Sequence, residues 1–520
     1  MRPLMLALAG CVLIAPIRAE AYVALMAGQS ARPLQGRFND VPVLHSNQPE
    51  EVLGPGILVN TAPGSAITAE TGELIPNATY TFNGEFGLHV HHKYHPQDRS
   101  RLSGPGGRRG ELTLATILTN PGPNPVHIRF VEGAVRNSFE APYLATNLMG
   151  VKPLGPRPWN TGPGDATAVQ VLRGQLDHRL SDEITIPGYS RLVLFSTALP
   201  AKGIANALVK GRSDGPFQMA VVAAEDPSSD ADVFAVLDSG RLAPGRIYLS
   251  RIAQIENGTV FSRVAGVAIG DRYDAVLQHD LDQSPLHVPL TSTSRHHFGT
   301  DEIQVNGLAA RMVDSSVNNV GTYGVRFSVE LQLRGSGPYE LVLSHPTANG
   351  RSFTAFRGSI GLETDEGYRE VHVGMRSGES LSLASLNLKP GQVNRVKVTV
   401  VYPADATPGH LLSVVPEQQL ASVRQREQLV AAARQRPQKP ALSTTPAIPL
   451  LAEPELTLQP KPEPAVVMAP GWSAAPVTLP AAQDLPPMVI EPARMSQSLM
   501  QRYQQAVEAQ QRFIDSLMGR

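Results

Sequence analysis

The sequence contains a single cysteine and few aromatic residues. Among its 520 residues only Cys11 carries a thiol, and aromatic residues make up 5% of the chain. Once the first 21 residues are removed, the chain has no disulfide, no thiolate nucleophile and no cysteine-ligated metal site. Glycine and proline, by contrast, number 45 each. This composition favours many turns and short strands over long helices.

The sequence also lacks an excess of charge and a long hydrophobic run. It has 45 basic and 46 acidic residues, a formal net charge of −1. A nucleic-acid-binding protein would need a basic surface excess, so we expect no nucleic-acid partner. The apolar run Leu4–Pro16 is shorter than the roughly 20 residues of a membrane span. We therefore expect no transmembrane segment after signal removal.

Residues 1–21 are predicted to be an export signal. Arg2 supplies the positive start, Leu4–Pro16 the apolar core, and Ala19-Glu20-Ala21 a small-x-small cleavage site. This signal predicts a periplasmic or extracellular location. The alternative is a lipoprotein, because the residues that end at Cys11 match a lipobox and would allow anchoring at that cysteine.

Two stretches alternate between apolar and polar residues with a period of two. They are Gly110–Gly133 and Val325–Pro346, each interrupted by glycine and proline. This pattern predicts a half-buried hairpin in each case. Two further stretches, Ile184–Pro200 and Leu386–Pro403, share a short strand, a Pro-Gly pair and a longer strand. The repetition predicts an all-β protein with two related β-sandwich domains.

The expected domain boundaries follow from these repeats. Residues 1–21 are the signal peptide, 22–245 the N-terminal β-sandwich domain, 246–416 the second β-sandwich domain, and 417–520 a tail. The tail begins with a predicted short helix at Gln418–Arg436. A proline-rich segment follows, which should be disordered because proline sustains neither a helix nor a central strand.

An apolar stripe at helical spacing predicts an amphipathic helix at Met495–Met518, the end of the tail. Two interpretations of this helix remain open. It either docks weakly on the rest of the chain and frays, or it binds a partner at the end of a semi-rigid proline-rich arm.

Several motifs occur in the order typical of one family. They include FGLHVHHKYHP at Phe86–Pro96, GTYGVRFSVEL at Gly321–Leu331 and VVYPADATPGHLLSV at Val400–Val414. With these motifs, the segment from about Ala31 to Val415 resembles an uncharacterised family of secreted cyanobacterial proteins, domain of unknown function family 3370. The resemblance implies location and fold. It implies no activity, and it does not cover the tail.

The histidine-rich strand is the main candidate site. His89 and His91 share one face with Glu85, while the apolar residues of the strand occupy the other face. Two imidazoles at i and i+2 can coordinate Zn²⁺ or Cu²⁺ if a third ligand comes from elsewhere, and His92 is a further candidate ligand. The alternative is a solvated strand face. His296-His297 is a weaker pair, because adjacent residues of an extended chain point apart.

Two other motifs carry less weight. Gly211–Gly215 fits G-x-S-x-G around Ser213, but a nucleophile elbow needs a following helix, and Phe217–Ala223 is predicted to be a strand. The acidic groups at Asp271–Asp274 and Asp280–Asp282 offer oxygen ligands for Ca²⁺. Neither has the glycine and glutamate positions of an EF-hand loop, which favours solvated turns.

These observations favour a secreted cell-envelope protein that is a non-enzymatic binding or structural module. No catalytic or cofactor-binding residue is assigned. An envelope polysaccharide or an envelope protein is the expected partner, by analogy with other sandwiches. Two alternatives remain: a periplasmic metal-binding protein that uses the histidine-rich strand, and a polysaccharide-active enzyme whose carboxylate pair comes from distant strands.

Overall fold

The computed structural model describes residues 25–26, 29–102, 110–143, 149–156, 160–347 and 352–435. The predicted signal peptide, the proline-rich segment and the predicted helix Met495–Met518 lie outside the described residues. Up to Leu429, the described residues belong to one compact unit. In this part of the chain no helix is both long enough and apolar enough to span a membrane.

Strands dominate the described residues, and the prediction of an all-β fold is confirmed. The strands of the first half are β1 (Arg37–Phe38), β2 (Pro42–Ser46), β3 (Glu51–Val52), β4 (Gly56–Asn60), β5 (Ser65–Ile67), β6 (Leu74–Pro76), β7 (Glu85–Tyr94), β8 (Glu111–Thr119), β9 (Val126–Asn137), β10 (Gly150–Pro153), β11 (Glu183–Ile186), β12 (Arg191–Pro200), β13 (Ile204–Ser213) and β14 (Gln218–Ala224). Those of the second half are β15 (Ala265–Ile269), β16 (Arg272–Asp280), β17 (Leu286–Leu290), β18 (Asn306–Arg311), β19 (Asn318–Asn319), β20 (Arg326–Arg334), β21 (Gly337–Ser344), β22 (Thr354–Thr364), β23 (Gly367–Arg376), β24 (Ser380–Leu388), β25 (Asn394–Val401) and β26 (His410–Pro416). The α-helices are α1 (Pro163–Leu172), α2 (Asp230–Asp238), α3 (Ile252–Glu256) and α4 (Glu417–Gln435), and short 3₁₀ turns lie at Arg99–Leu102 and Ile247–Arg251.

The first sandwich packs two sheets of the described strands against each other. One sheet has the order β11-β9-β13-β7-β2-β15-β18-β19, with β3 also paired to β7, and the other has the order β12-β8-β14-β4. Their inner faces meet in a core that includes Leu88, Phe130, Leu114 and Val221, all nearly inaccessible to solvent. Strand β7 is central, because β13 pairs with one of its edges and β2 with the other.

The second sandwich is built in the same way. Its larger sheet has the order β1-β16-β20-β25-β22-β23-β10, and its smaller sheet has the order β17-β26-β21-β24. A separate core fills the space between them and includes Phe327, Leu331, Val398 and Leu412. The alternation of Phe327, Val329 and Leu331 with polar neighbours therefore marks the face that the sequence pattern predicted to be buried.

The two predicted hairpins are wrong in their pairing. Strand β8 pairs with β12 and β14, whereas the next strand β9 pairs with β11 and β13 in the opposite sheet. Likewise β20 belongs to the larger sheet of the second sandwich and β21 to the smaller one. Each repeat is thus an arch that crosses from one sheet to the other. Alternation predicts a strand with one buried face. A hairpin and an arch both bury that face, so the pattern does not distinguish them.

The Pro-Gly repeats are arches as well. Chain segments β11 and β12 lie in opposite sheets, and so do β24 and β25. In the first sandwich β9 pairs with β11 while β8 pairs with β12. In the second, β21 pairs with β24 while β20 pairs with β25. The same interlocked pair of arches therefore occurs twice, which is the relation that the sequence repeats predicted.

One of the helical segments was predicted from the sequence, and the others were not. Helix α4 (Glu417–Gln435) confirms the short helix expected at Gln418–Arg436. The stretch Arg246–Gln254 contains a 3₁₀ turn, Ile247–Arg251, that leads into α3. Helices α1 and α2 were not predicted. Helix α2 begins at a capping box formed by Ser229 and Asp232.

Strands from both sides of the predicted boundary at residues 245 and 246 contribute to each sandwich. Strands β15 and β18 follow this point in the chain but join the larger sheet of the first sandwich. Strands β1 and β10 precede it but join the larger sheet of the second sandwich. The two sandwiches therefore share strands across that point, and the placement of a domain boundary there stays a prediction.

Candidate functional site

A broad open cleft lies beside the larger sheet of the first sandwich. Its volume is about 1050 Å³. Residues of β7, β9, β11 and β13 line it, together with residues of the second sandwich. The charged and histidine side chains of its lining are Glu85, His127, Arg129, Glu132, Glu183, Lys210, Arg212, Asp214, Asp271, Arg272 and Arg326.

One row of four charged residues crosses the floor of this cleft. In the strand registers, Glu183 is opposite Arg129, Arg129 is opposite Arg212, and Arg212 is opposite Glu85. Residues that are directly opposite on neighbouring strands project to the same face of a sheet. All four side chains are exposed. We call this row the arginine row.

The two central arginines of the row are electrostatically unusual. Arg129 and Arg212 are cross-strand neighbours of like charge and repel each other, while Glu183 and Glu85 are directly opposite them on their other sides. Within the part of the chain that the structure describes, neither guanidinium has a hydrogen-bonding or ionic partner. An anion bound between them would relieve this repulsion and accept charge-assisted hydrogen bonds from both.

The wall of the cleft, in contrast, is a paired network. Lys210 Nζ lies 2.8 Å from Asp271 Oδ2 and 3.5 Å from Glu132 Oε1. Arg326 Nη2 donates to Glu132 Oε2 at 2.9 Å. Lys210 and Glu132 belong to the first sandwich and Arg326 to the second, and Asp271 lies in the turn that joins β15 of the first to β16 of the second. These ion pairs therefore join the two sandwiches along the cleft.

The acidic motif Asp271–Asp274, which offered oxygen ligands for Ca²⁺, contributes to this network of ion pairs. The Asp271 carboxylate accepts a hydrogen bond from Asn39 at 2.7 Å in addition to its contact with Lys210. Asp274 pairs with Arg272 at 2.8 Å. Both carboxylates thus have cationic neighbours. Asp271 is buried and Asp274 lies within β16, so the solvated turn that the sequence favoured over a Ca²⁺ loop is wrong here.

Ser213, the serine of the G-x-S-x-G match, lies at the end of β13. Its hydroxyl accepts a hydrogen bond from the backbone N–H of Gly84 at 3.1 Å. The chain then enters strand β14 rather than a helix. The geometry is that of a strand end and lacks the strand–turn–helix context of a nucleophile elbow.

The histidine-rich strand is buried on both faces. His89, His91 and His92 are each less than 5% exposed, so the solvated strand face is wrong. Strand β2 brings His45 beside His89, with their Nδ1 atoms 3.2 Å apart. One of these nitrogens donates and the other accepts, since neutral imidazole carries one N–H. The contact between His45 and His89 was not predicted, because it depends on the parallel pairing of β2 with β7.

The other two histidines are committed to hydrogen bonds. His91 Nδ1 donates to Asn206 Oδ1 at 2.9 Å. His92 Nδ1 donates to the Pro49 carbonyl at 2.7 Å, and its Nε2 accepts from the Ser46 hydroxyl at 2.8 Å. With both ring nitrogens used, His92 is fixed in one tautomer and has no lone pair left for a metal.

Burial keeps His45, His89 and His92 neutral. It lowers the pKa of His45 and of His92 to about 3. Burial, with the neighbouring His45, also holds the pKa of His89 well below its usual value. Neutral imidazole is the form that binds a metal. Among the described residues, however, no group of three or more His, Cys, Asp and Glu side chains is arranged to hold an ion. The metal site at His89, His91 and His92 stays a prediction.

A second histidine cluster involves one member of the pair His296-His297. The His296 ring lies 5.9 Å from that of His345, which lies 4.9 Å from that of His410. His345 and His410 are almost fully buried. Burial lowers the pKa of His345 to about 4, and it holds the pKa of His410 well below its usual range. These three residues are far apart in the sequence, so local spacing gave no signal for them.

The arginine row was also missed by sequence reasoning. The alternation of His127 and Arg129 with core residues did place both on the polar face of β9. The four members of the row come from four strands that lie between residues 85 and 213. Only the strand order reveals that they are adjacent.

Comparisons with known proteins give a family but no activity. No curated protein matches the chain. A solved structure of a Paenibacillus xanthan lyase is 10% identical over 70% of this chain, with a TM-score of 0.15. The match spans about a quarter of that enzyme, 26% of its length. The family model described as "Protein of unknown function (DUF3370)" matches residues 29–416. The chain therefore belongs to the DUF3370 family.

Proposed function

We propose that this protein is an exported, non-enzymatic envelope protein whose cleft binds an acidic polysaccharide. The observation that carries the proposal concerns Arg129 and Arg212, which are neighbours on the floor of the cleft. Among the described residues, neither guanidinium has a hydrogen-bonding or ionic partner. The export signal at residues 1–21 supports a location where such polymers occur.

A saccharide suits the rest of the lining. The row offers guanidinium donors at its centre and carboxylate acceptors, Glu85 and Glu183, at its ends. A sugar chain that carries uronate or sulfate groups presents anions for the arginines and hydroxyl donors for the carboxylates. Binding sites of this kind use a few polar groups to orient the ligand.

Two pairs of carboxylates in the cleft favour binding over hydrolysis. Glu85 and Glu183 stand on the first and fourth strands of the row, about 14 Å apart at a strand spacing of about 4.8 Å. Glycosidases hold their two carboxyl groups about 5–9.5 Å apart. Glu132 and Asp271 are closer to each other but are neutralised by Lys210 and Arg326.

The proposal is tested by titrating the purified protein with polygalacturonate and with neutral dextran in low salt. We expect polygalacturonate to bind, with an affinity that falls as salt is added. The double variant Arg129→Gln/Arg212→Gln should weaken this binding at least tenfold. The matched control, Arg334→Gln/Arg395→Gln, removes the same charge from exposed positions outside the cleft and should bind normally.

Three results would overturn the proposal. They are equal affinity for dextran and polygalacturonate, equal loss in the two double variants, and release of new reducing ends during incubation. The last result would favour a polysaccharide-active enzyme instead.

A further inference from the structure

A second cavity adjoins the cleft. Its volume is about 470 Å³, and Arg326 lines both cavities. Its lining also includes Arg173, Gly361, Glu363, Tyr368, Glu370 and Lys397. The larger cavity lies beside the first sandwich and the smaller one on the larger sheet of the second. The two linings meet at Arg326.

The smaller cavity contains an exposed aromatic ring. Tyr368 is 58% exposed, although it lies within strand β23. Its hydroxyl donates to Glu370 Oε1 at 3.1 Å. It lies over Gly361 of the neighbouring strand, where an added Cβ would come within 2.7 Å of the tyrosine oxygen. The absence of a side chain at Gly361 thus lets the tyrosine settle against the sheet.

The wall next to Tyr368 is held in place by ion pairing. Arg173 donates to Glu370 Oε2 from Nε at 2.9 Å and from Nη2 at 2.7 Å. Glu370 therefore connects helix α1 to the tyrosine hydroxyl. An exposed aromatic ring that is oriented at its polar end is well suited to stacking against the C–H face of a sugar ring.

A further cation lies on the same rung as the tyrosine. Tyr368 is opposite Glu363, Glu363 is opposite Lys397, and Lys397 is opposite Glu330 on its other side. Lys397 is half-buried, and among the described residues its ammonium has no ionic partner within 4 Å. The smaller cavity therefore contains a lysine that stands between two carboxylates on its rung, and it adds an aromatic surface.

Tyr368 lies more than one sugar unit away from Arg326, the residue at which the two cavities meet. Arg326 on β20 and Tyr368 on β23 are separated by three strand spacings and by four residues along the strand. At about 4.8 Å per strand and about 3.3 Å per residue, this amounts to roughly 19 Å. A ligand that contacts both must be an extended chain of several units.

We propose that the cleft and the smaller cavity are consecutive subsites for one linear acidic polysaccharide, with Tyr368 as the stacking platform of the second subsite. This inference rests on the proposed function, because it requires the anionic ligand of the arginine row. It adds the length of the ligand and the path that it follows across both sandwiches.

The test is a length series of oligogalacturonates, from two to twelve units, titrated into the purified protein by calorimetry. We expect affinity to rise with length and then to level off once both subsites are filled. Tyr368→Ala should weaken the longest oligomer about fivefold, the loss expected for one stacking contact. It should leave the shortest oligomer unchanged, because that ligand is held by Arg129 and Arg212.

Two control variants separate stacking from other effects. Tyr368→Phe keeps the ring and should bind the long oligomers almost normally. Tyr189→Ala removes a tyrosine that is 75% exposed but lies outside both cavities, and should have no effect. The thermal unfolding of each variant establishes that it is folded.

The outcomes distinguish the two proposals. If short and long oligomers bind equally and Tyr368→Ala leaves both unchanged, the second subsite is wrong while the proposed function stands. If no oligomer binds at any length, the proposed function fails and the subsite fails with it. Equal affinity for polyglutamate of matched length would overturn the choice of a saccharide, and would favour an acidic polypeptide.

Discussion

At the scale of single residues, the histidine-rich strand shows what a local pattern can and cannot reveal. Period-two alternation correctly separated His89 and His91 from the apolar face of β7. It wrongly predicted that the histidine face is exposed to solvent. Whether the second face of a strand is buried depends on elements that are distant in the sequence. Here β2 supplies His45 and β13 supplies Asn206. The hydrogen bonds of these side chains follow from that burial, because a buried polar group without a partner is costly.

The ion pair of Arg246 and Asp314 is another feature that no local sequence pattern predicts. Both side chains are fully buried, and Arg246 Nη1 donates to the Asp314 carboxylate at 2.7 and 3.0 Å. Gln48 also donates to this carboxylate, at 3.2 Å. Arg246 follows β14 by more than twenty residues, and Asp314 follows β18, so the pair fixes two loops of the first sandwich.

We expect Asp314→Asn to lower the free energy of unfolding by about 3–5 kcal/mol, because it leaves the Arg246 charge buried without a counter-ion. The measurement is guanidinium chloride unfolding followed by circular dichroism. Asp274→Asn is the matched control, since its pair with Arg272 is about half exposed and should contribute less than about 1 kcal/mol. Similar losses in the two variants would contradict the prediction.

At the scale of secondary-structure elements, strand existence was predictable and strand partnership was not. The alternation in β8, β9, β20 and β21 identified each strand and its buried face. It could not distinguish a hairpin from an arch, since both bury the same residues. The arginine row depends on that partnership. The residues of the candidate site were therefore visible as polar strand positions, while their adjacency was not.

Helix α1 was missed for a physical reason. Pro163 at its first position and Asp165 in its first turn are start signals. They compete with Gly164 and with the β-branched Thr167, Val169 and Val171, which have low helix propensity. Packing between the sandwiches outweighs propensity here, because all ten residues of the helix are buried.

Helix α1 is tied to both sandwiches by polar contacts. Asn206 Nδ2 of β13 donates to Thr167 Oγ1 at 2.6 Å. On the opposite side, Asp165 accepts a hydrogen bond from Ser359 of β22 at 3.1 Å and lies 3.2 Å from His372 Nδ1 of β23. The helix therefore carries buried hydrogen bonds from the first sandwich to the second.

We expect Thr167→Val to lower the free energy of unfolding by about 1–3 kcal/mol, since it removes the acceptor of a buried Asn206 amide without changing side-chain shape. Thr79→Val, at an exposed position, should change it by less than about 0.5 kcal/mol. Chemical unfolding of both variants provides the comparison. An unchanged midpoint for Thr167→Val would show that α1 does not depend on this contact.

At the scale of the whole molecule, buried neutral histidines are distributed over both sandwiches. His45, His89 and His92 lie in the first sandwich, and His287, His345 and His410 in the second. Burial lowers the pKa of His287 and of His345 to about 4, and that of His45 and of His92 to about 3. The pKa values of His89 and His410 are also lowered by burial.

These shifts predict that the protein loses stability in mild acid. Below about pH 6.5 the unfolded chain binds protons that the folded chain excludes, so the free energy of unfolding falls as the pH falls. The stability from each group is complete above the unfolded pKa and is lost progressively toward the folded pKa, here from about pH 6.5 down to pH 3–4. Each residue contributes about 1.4 kcal/mol per pH unit in that window.

Guanidinium chloride unfolding at pH 7.5, 6.5, 5.5 and 4.5 measures this loss. We expect little change between the first two values and a steep fall below them, steeper than one titrating group can produce. His287→Asn should reduce the slope by about one proton, because His287 is paired with Ser413 and Gln29 by hydrogen bonds that a neutral amide can partly replace. A stability that stays constant from pH 7.5 to 4.5 would mean that these histidines are accessible to protons in the folded protein, and the two sandwiches would then be less tightly closed around them than their burial indicates.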